Sequence, residues 1–235
     1  MNGLRITLAA GVAAALACTA TSQVAHADED KGLAVGLRVG YAIPFGDAQQ
    51  STAPDATNGQ TISMSRLQRG MLPIWFDLGY RFNPNIYLGL FYQYAPTFPP
   101  SGNCAVASVP AAGETTCDGS DQRFGLDVHY HFRPHDLVDP WIGLGLGYEM
   151  TQLNHSQGGS GDTGSFQAWG PTGDLQLGAD LRFSHIIPFG PFLDLSLSEF
   201  GTENNYDANG RGTPVAFSSK LHGWLTLGVR AQFDL

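Results

Sequence analysis

The last fourteen residues, HGWLTLGVRAQFDL, constrain the fold more than any other stretch of the chain. From Leu225 onward every odd position is apolar (Leu225, Leu227, Val229, Ala231, Phe233, Leu235). The even positions Thr226, Gly228, Arg230, Gln232 and Asp234 are polar or minimal. Strict alternation with a period of two makes a β-strand with two chemically different faces. The apolar face must meet either a second sheet or lipid, and the rest of the sequence has to say which.

The same pattern recurs upstream in seven segments, 33–45, 72–82, 86–94, 123–133, 141–150, 174–183 and, more weakly, 191–200. That predicts eight strands. The connections alternate in length. Polar segments 46–70, 96–122, 151–173 and 201–220 are long, whereas the links around Pro84, at 134–140 and at 184–190 are short. A barrel with short turns at one end and long loops at the other has this asymmetry.

Three properties favour lipid over a protein interior as the partner of the apolar face. About ten residues per strand at roughly 3.3 Å each, tilted near 45°, span the ~25 Å apolar band of a membrane barrel. If odd strands run outward, Tyr41, Phe45, Tyr92, Tyr94, Phe124 and Tyr148 fall at one rim. Tyr80, Phe82, Tyr130, Phe132, Phe183 and Phe233 fall at the other, with Phe76 as the exception between them. A bilayer interface sorts aromatic rings to strand ends, and a soluble core has no reason to. The third property is the charge of the opposite face, which is assigned Arg38, Arg81, Arg123, Arg133, Arg182 and Arg230 with Asp77, Asp127, Glu149, Asp174, Asp180, Asp194, Glu199 and Asp234. The clear apolar faces are read as carrying no charge. Arginine with its planar fork suits carboxylate pairing in a confined interior, and Lys is nearly absent from the strands.

Composition fits this reading. Charged residues are only 14% of the chain, against about 25% in a typical soluble domain. Residues 1–27 read as an export signal, with Arg5, an apolar run from Ile6 to Ala17, and Ala25-His26-Ala27 before the cut. The remainder, 28–235, reads as one barrel domain. The signal holds one of the 12 basic residues and none of the 21 acids, which leaves 11 against 21, or −10. Such acidity argues against a nucleic-acid partner. Cys18 falls in the signal, preceded by a poor lipidation motif, while Cys104 and Cys117 form a candidate disulfide in an exported loop.

The segments GLRVGYAIPFGD, LGYRFNPNIYLGLFYQYA and PWIGLGLGYE, with the terminal strand, resemble the eight-stranded outer-membrane barrels, the group of outer membrane proteins A, X and W. The resemblance covers residues 33–235. It implies an all-β, antiparallel, up-and-down transmembrane barrel whose partners are outer-membrane lipid and the barrel-assembly machinery. That machinery usually reads a terminal aromatic; here Leu235 is last, with Phe233 two before it on the same face. Wall anchoring is not part of what the resemblance implies here.

A barrel of eight strands has an interior that side chains fill. The network Arg38, Asp77, Arg81, Arg123, Asp127, His129, His131, Glu149, Asp180, Arg182 and Arg230 is therefore expected as an ion-paired plug. The alternative is a narrow conduit for small or hydrophobic solutes, with space at the glycines beside Trp141 and Glu149. His129 and His131 lack a third ligand at a set spacing and read as satisfied lumen histidines. Asn154-His155-Ser156 lies in a loop without an acid at a convincing spacing for hydrolysis. The NYDANG segment, 205–210, lacks the leading Asp of a calcium loop, and Ala216 stands where its Glu belongs, so it reads as a turn. The expectation is a surface platform, structural or adhesive, binding an unidentified ligand through its loops, with no cofactor, metal or enzymatic activity.

Overall fold

In the structure, a computed structural model, the described residues are 31–51, 61–98, 115–157, 163–182, 188–207, 209–214 and 217–235. In chain order they form β1 (Gly32–Ser51), β2 (Thr61–Ser63), α1 (Met64–Leu67), β3 (Gly70–Met71), β4 (Ile74–Asn83), β5 (Ile86–Phe98) and β6 (Thr115–His131). There follow β7 (Val138–Gln157), β8 (Thr163–Leu181), β9 (Phe189–Glu199), β10 (Thr202–Tyr206), β11 (Gly212–Pro214), β12 (Phe217–Ser219) and β13 (Leu221–Asp234).

Eight of these close a ring by antiparallel pairing alone: β1–β4–β5–β6–β7–β8–β9–β13 and back to β1. The register fixes the shape. A path across the ladders leaves β1 at Ala42, passes Thr226, Asp194, Gln176, Gly143, His129, Tyr87 and Arg81, and regains β1 at Gly32. That offset of ten residues, at about 3.3 Å per residue and 4.8 Å per strand, tilts the strands by about 40° and gives a backbone radius of about 8 Å. Side chains can fill such an interior.

The apolar face points outward throughout the ring. Leu90, Leu126, Leu144 and Leu146 are 55–75% exposed, and their neighbours around the belt are exposed as well. Tyr80 packs edge-on against Phe82, and Tyr130 against Phe132, at the end with the short turns. Tyr41 stacks near Phe98, and Phe124 lies beside Tyr148, at the other end. Two assignments of charge are corrected. Glu199 shares the parity of Leu193, Leu195 and Leu197 and is exposed on the outward face at the outer rim, so that face of β9 is not free of charge. Arg133 lies past the end of β6, with its side chain 70% exposed and 3.7 Å from Asp136.

Beyond the outer rim the wall continues further than the sequence pattern suggests. β6, β7 and β8 extend through 115–122, 151–157 and 163–173, all of which read as loop in the sequence. There the polarity inverts: Leu153, Phe166 and Ala168 are buried, while Gln152, Asn154, Ser165 and Gln167 lie on the outer side. Water replaces lipid outside, so the apolar side chains turn inward. They join Met64 and Leu67 of α1 with Trp224, Phe200, Met71, Ala42 and Ala95 in a small core at the outer end of the barrel.

Glu203 on β10 belongs to this outer extension and is buried, which pushes its carboxyl from an ordinary 4.5 up to about 8. The folded state therefore holds a proton that the unfolded chain loses above pH 4.5. Stability falls as pH rises from 4.5 to about 8 and then levels off. Glu203→Gln is expected to flatten this slope, read as the heat-induced unfolding midpoint in detergent at pH 5 and pH 9. Equal slopes in the two proteins would contradict it.

After β10, Asp207, Asn209, Gly210 and Arg211 make a tight turn into β11. Asp207 accepts backbone N–H bonds from Asn209 (2.9 Å) and Arg211 (2.8 Å), and Gly210 takes the positive φ of 75°. The export signal, Cys18, Cys104, Phe183 and Ala216 lie outside the described residues. Cys117 pairs through its backbone with His155; the side chains of Cys117, His155 and Ser156 also lie outside them.

Candidate functional site

The lumen is the chemically distinctive part of the barrel, and its side chains form layers along the axis. The innermost layer centres on Arg230. Its guanidinium makes a bidentate pair with Asp180 (2.8 and 2.6 Å) and lies 3.8 Å from the centre of the Trp141 ring. It also donates to His129 Nδ1 at 3.2 Å. Because an arginine only donates, His129 carries its proton on Nε2. That nitrogen faces Gln176 Oε1 and Asp127 Oδ2, both at 3.1 Å. The His129 ring is held between Tyr87 (5.0 Å) and Trp141 (4.9 Å).

Next to it, His131 Nδ1 sits 2.7 Å from Asp139 Oδ2, and Asp139 also accepts from Arg182 (3.3 Å) and the Arg133 backbone N–H (3.1 Å). Arg81 reaches Asp234 at 3.3 Å where the barrel meets its inner edge. His131, Asp139 and Asp180 present ligand atoms within 4.8 Å of one another. Both acids already carry a guanidinium, Arg182 on Asp139 and Arg230 on Asp180, so arginine balances their charge.

The middle layer is built by Arg38. It donates to Asp77 (2.8 Å), Asp127 (3.1 Å) and Gln176 (2.8 Å), with Trp75 at 5.4 Å and Phe192 at 6.0 Å flanking its face. These contacts tie β1 to β4, β6 and β8 across the lumen. The outer layer is built by Arg123, which donates to Ser196 (2.7 Å) and Glu149 (3.3 Å) and lies 3.2 Å from Asp121. Glu149 in turn accepts from Trp224 Nε1 (3.0 Å) and faces His222 Nε2 (3.2 Å). Thr151 donates to Asp121 at 2.6 Å.

All eleven residues named from sequence lie on the inward wall; Arg182 is the most accessible, 27% exposed at the inner end. Asp121, Asp139, His222 and Trp224 also belong to the network, and sequence reading does not place them there. Asp121 is in phase with Arg123, so extending that strand by two residues would find it. The glycines of β7 leave no free space. A Cβ on Gly143 would meet His129 Cδ2 at 2.6 Å, and one on Gly145 would meet Asp174 Oδ2 at 3.0 Å. A Cβ on Gly178 of β8 would meet Trp141 at 2.5 Å. These positions are glycine because large lumen side chains lie across them.

The profile of the outer membrane protein beta-barrel domain matches residues 10–209. No curated protein matches the chain by sequence. Among solved structures, a major outer membrane protein from Thermus thermophilus is similar at 14% identity, covering 86% of this chain and 99% of that one, with a TM-score of 0.53. The outer membrane protease OmpT from Escherichia coli is similar at 10% identity, 87% and 97% coverage and a TM-score of 0.50. Neisserial surface protein A is similar at 16% identity, 87% and 97% coverage and a TM-score of 0.49. At these identities the likeness concerns the fold alone.

Proposed function

The chain belongs to the outer membrane protein beta-barrel family, and from that premise we propose that it is a closed, lipid-embedded platform that acts through its outer hairpins. Its role on this reading is structural or adhesive, with no catalytic step. The observation that supports a closed platform over a conduit is the filling of the lumen. Arg230, Arg38 and Arg123 each bridge several staves at successive heights, and the core around Met64, Leu67 and Trp224 lies at the outer end. An ion moving through would have to break buried charge pairs, each costly to disrupt.

The same proposal takes outer-membrane lipid as the partner of the leucine-bearing face and the barrel-assembly machinery as the reader of the Phe233–Leu235 strand end. Residues 1–27 would be removed on export, and Cys104 with Cys117 would staple the second outer loop. Strands that run on past the aromatic rim raise the hairpins away from the lipid, where a surface ligand can be met.

The test is paired. Purified protein in a planar bilayer is expected to give no unitary currents. Cells displaying it are expected to gain attachment to a surface or host matrix, and to lose it when protease trims the hairpins. Discrete current steps would overturn the closed reading, and attachment unchanged by trimming would overturn the adhesive one.

A further inference from the structure

Midway along the lumen the pairing of charges runs short. In the middle and outer layers the buried acids are Asp77, Asp121, Asp127, Glu149, Asp174 and Asp194, while the buried guanidinium groups there are only Arg38 and Arg123 among the described residues. Arg38 gives its donors to Asp77, Asp127 and Gln176, and Arg123 serves Ser196, Glu149 and Asp121. Asp174 is left with Arg123 at 3.9 Å, too far for a hydrogen bond, and its Oδ2 has no partner. Asp194, 2% exposed, interacts electrostatically with Asp174 as well as with Arg123 and Arg38, whose hydrogen bonds go to other groups.

Asp174 and Asp194 stand together. The ladder pairs Asp194 with Gln176 and Asp174 with Ser196, so the two carboxylates are diagonal neighbours on β8 and β9, within side-chain reach. On the other flank Asp194 pairs directly with Thr226 of β13. Thr226 is fully buried and its hydroxyl has no partner. Its methyl lies towards β1, where a Cβ on Gly40 would meet Thr226 Cγ2 at 2.9 Å. The unpartnered hydroxyl thus belongs to the residue that the ladder sets directly opposite Asp194.

We propose that Asp174, Asp194 and Thr226 form an internal site for a hard divalent cation of the calcium class. The donors are all oxygens, with no imidazole or thiolate, which selects hard cations over zinc or copper. Two carboxylates match a double positive charge. Four further buried acids against two arginines keep the surroundings negative after binding. A cation here would tie β8, β9 and β13 at the height where the arginine layers leave a gap, and the closed lumen would make its exchange slow.

The site is loaded during folding. Protein refolded into detergent with millimolar CaCl₂, then desalted into chelator-treated buffer, is analysed for bound calcium by elemental mass spectrometry. Wild type is expected to retain about one calcium per chain, and Asp194→Asn and Asp174→Asn less than about a tenth of that. Thr226→Val preserves shape and leaves the arginine layers intact; its retention is expected to fall several-fold while its heat-dependent gel shift reports a folded barrel. Folded wild type without calcium would overturn the proposal and leave a proton shared between the carboxyls. Equal retention by wild type and Thr226→Val would also overturn it, placing the metal elsewhere.

Discussion

Replacing Arg38 with Met is expected to cost about 3–5 kcal/mol of stability, a loss set by two carboxylates at once. The side chain is 1% exposed and holds Asp77 and Asp127, neither of which has another arginine. Removing it strands the Asp77 carboxylate and leaves Asp127 with the His129 Nε2–H alone, and the effective cost of an uncompensated buried charge is several kcal/mol. Urea unfolding in phospholipid vesicles, followed by tryptophan fluorescence, reads the effect. The companion variant Arg38→Met with Asp77→Leu is expected to regain part of the loss, since it deletes one stranded charge. If the single variant lost under about 1 kcal/mol, or if the double variant were worse than the single, the layer would be no more than surface-like pairing.

The same physics explains what can be read from the sequence. Alternation is legible wherever lipid bounds one face, because hydrocarbon demands an unbroken apolar column and the lumen demands the opposite. Phe76 between the aromatic rims does not disturb that reading. The outer extensions are not legible, because above the rim the outside is water and the phase of the pattern inverts at Leu153 and Phe166. An inverted, weaker alternation full of Gln, Asn and Ser looks like loop. Glu199 is assignable by parity alone, and its place beside Leu221 at the rim shows how little a charge costs there. The lumen charges can be assigned to a face from sequence but not to partners. Which acid Arg123 takes depends on the ten-residue offset of the ring, a property of closure that no single strand contains. Asp139 is hidden for another reason: it precedes Pro140 in what reads as a short link, and only closure brings it to His131.

Lipid contact itself has a quantitative signature in the cost of charge against depth. Leu144 is 59% exposed on the outward face, flanked by Val128 and Leu175 in the ladders, near the middle of the apolar belt. Leu221 is similarly exposed, at 60%, but lies opposite Glu199 at the outer rim. Leu144→Arg is expected to destabilise the protein in phosphocholine vesicles by about 2–4 kcal/mol, and Leu221→Arg by only about 0–1 kcal/mol. Both substitutions replace an exposed leucine on a strand, so propensity and packing terms are similar and the difference reports the surrounding medium. At the belt the guanidinium is several residues from either interface and cannot reach water without thinning the bilayer. At the rim it snorkels into the headgroups and meets the Glu199 carboxylate. Equal and small costs at the two positions would mean that the leucine face touches water or another protein, and the barrel would not be spanning a membrane.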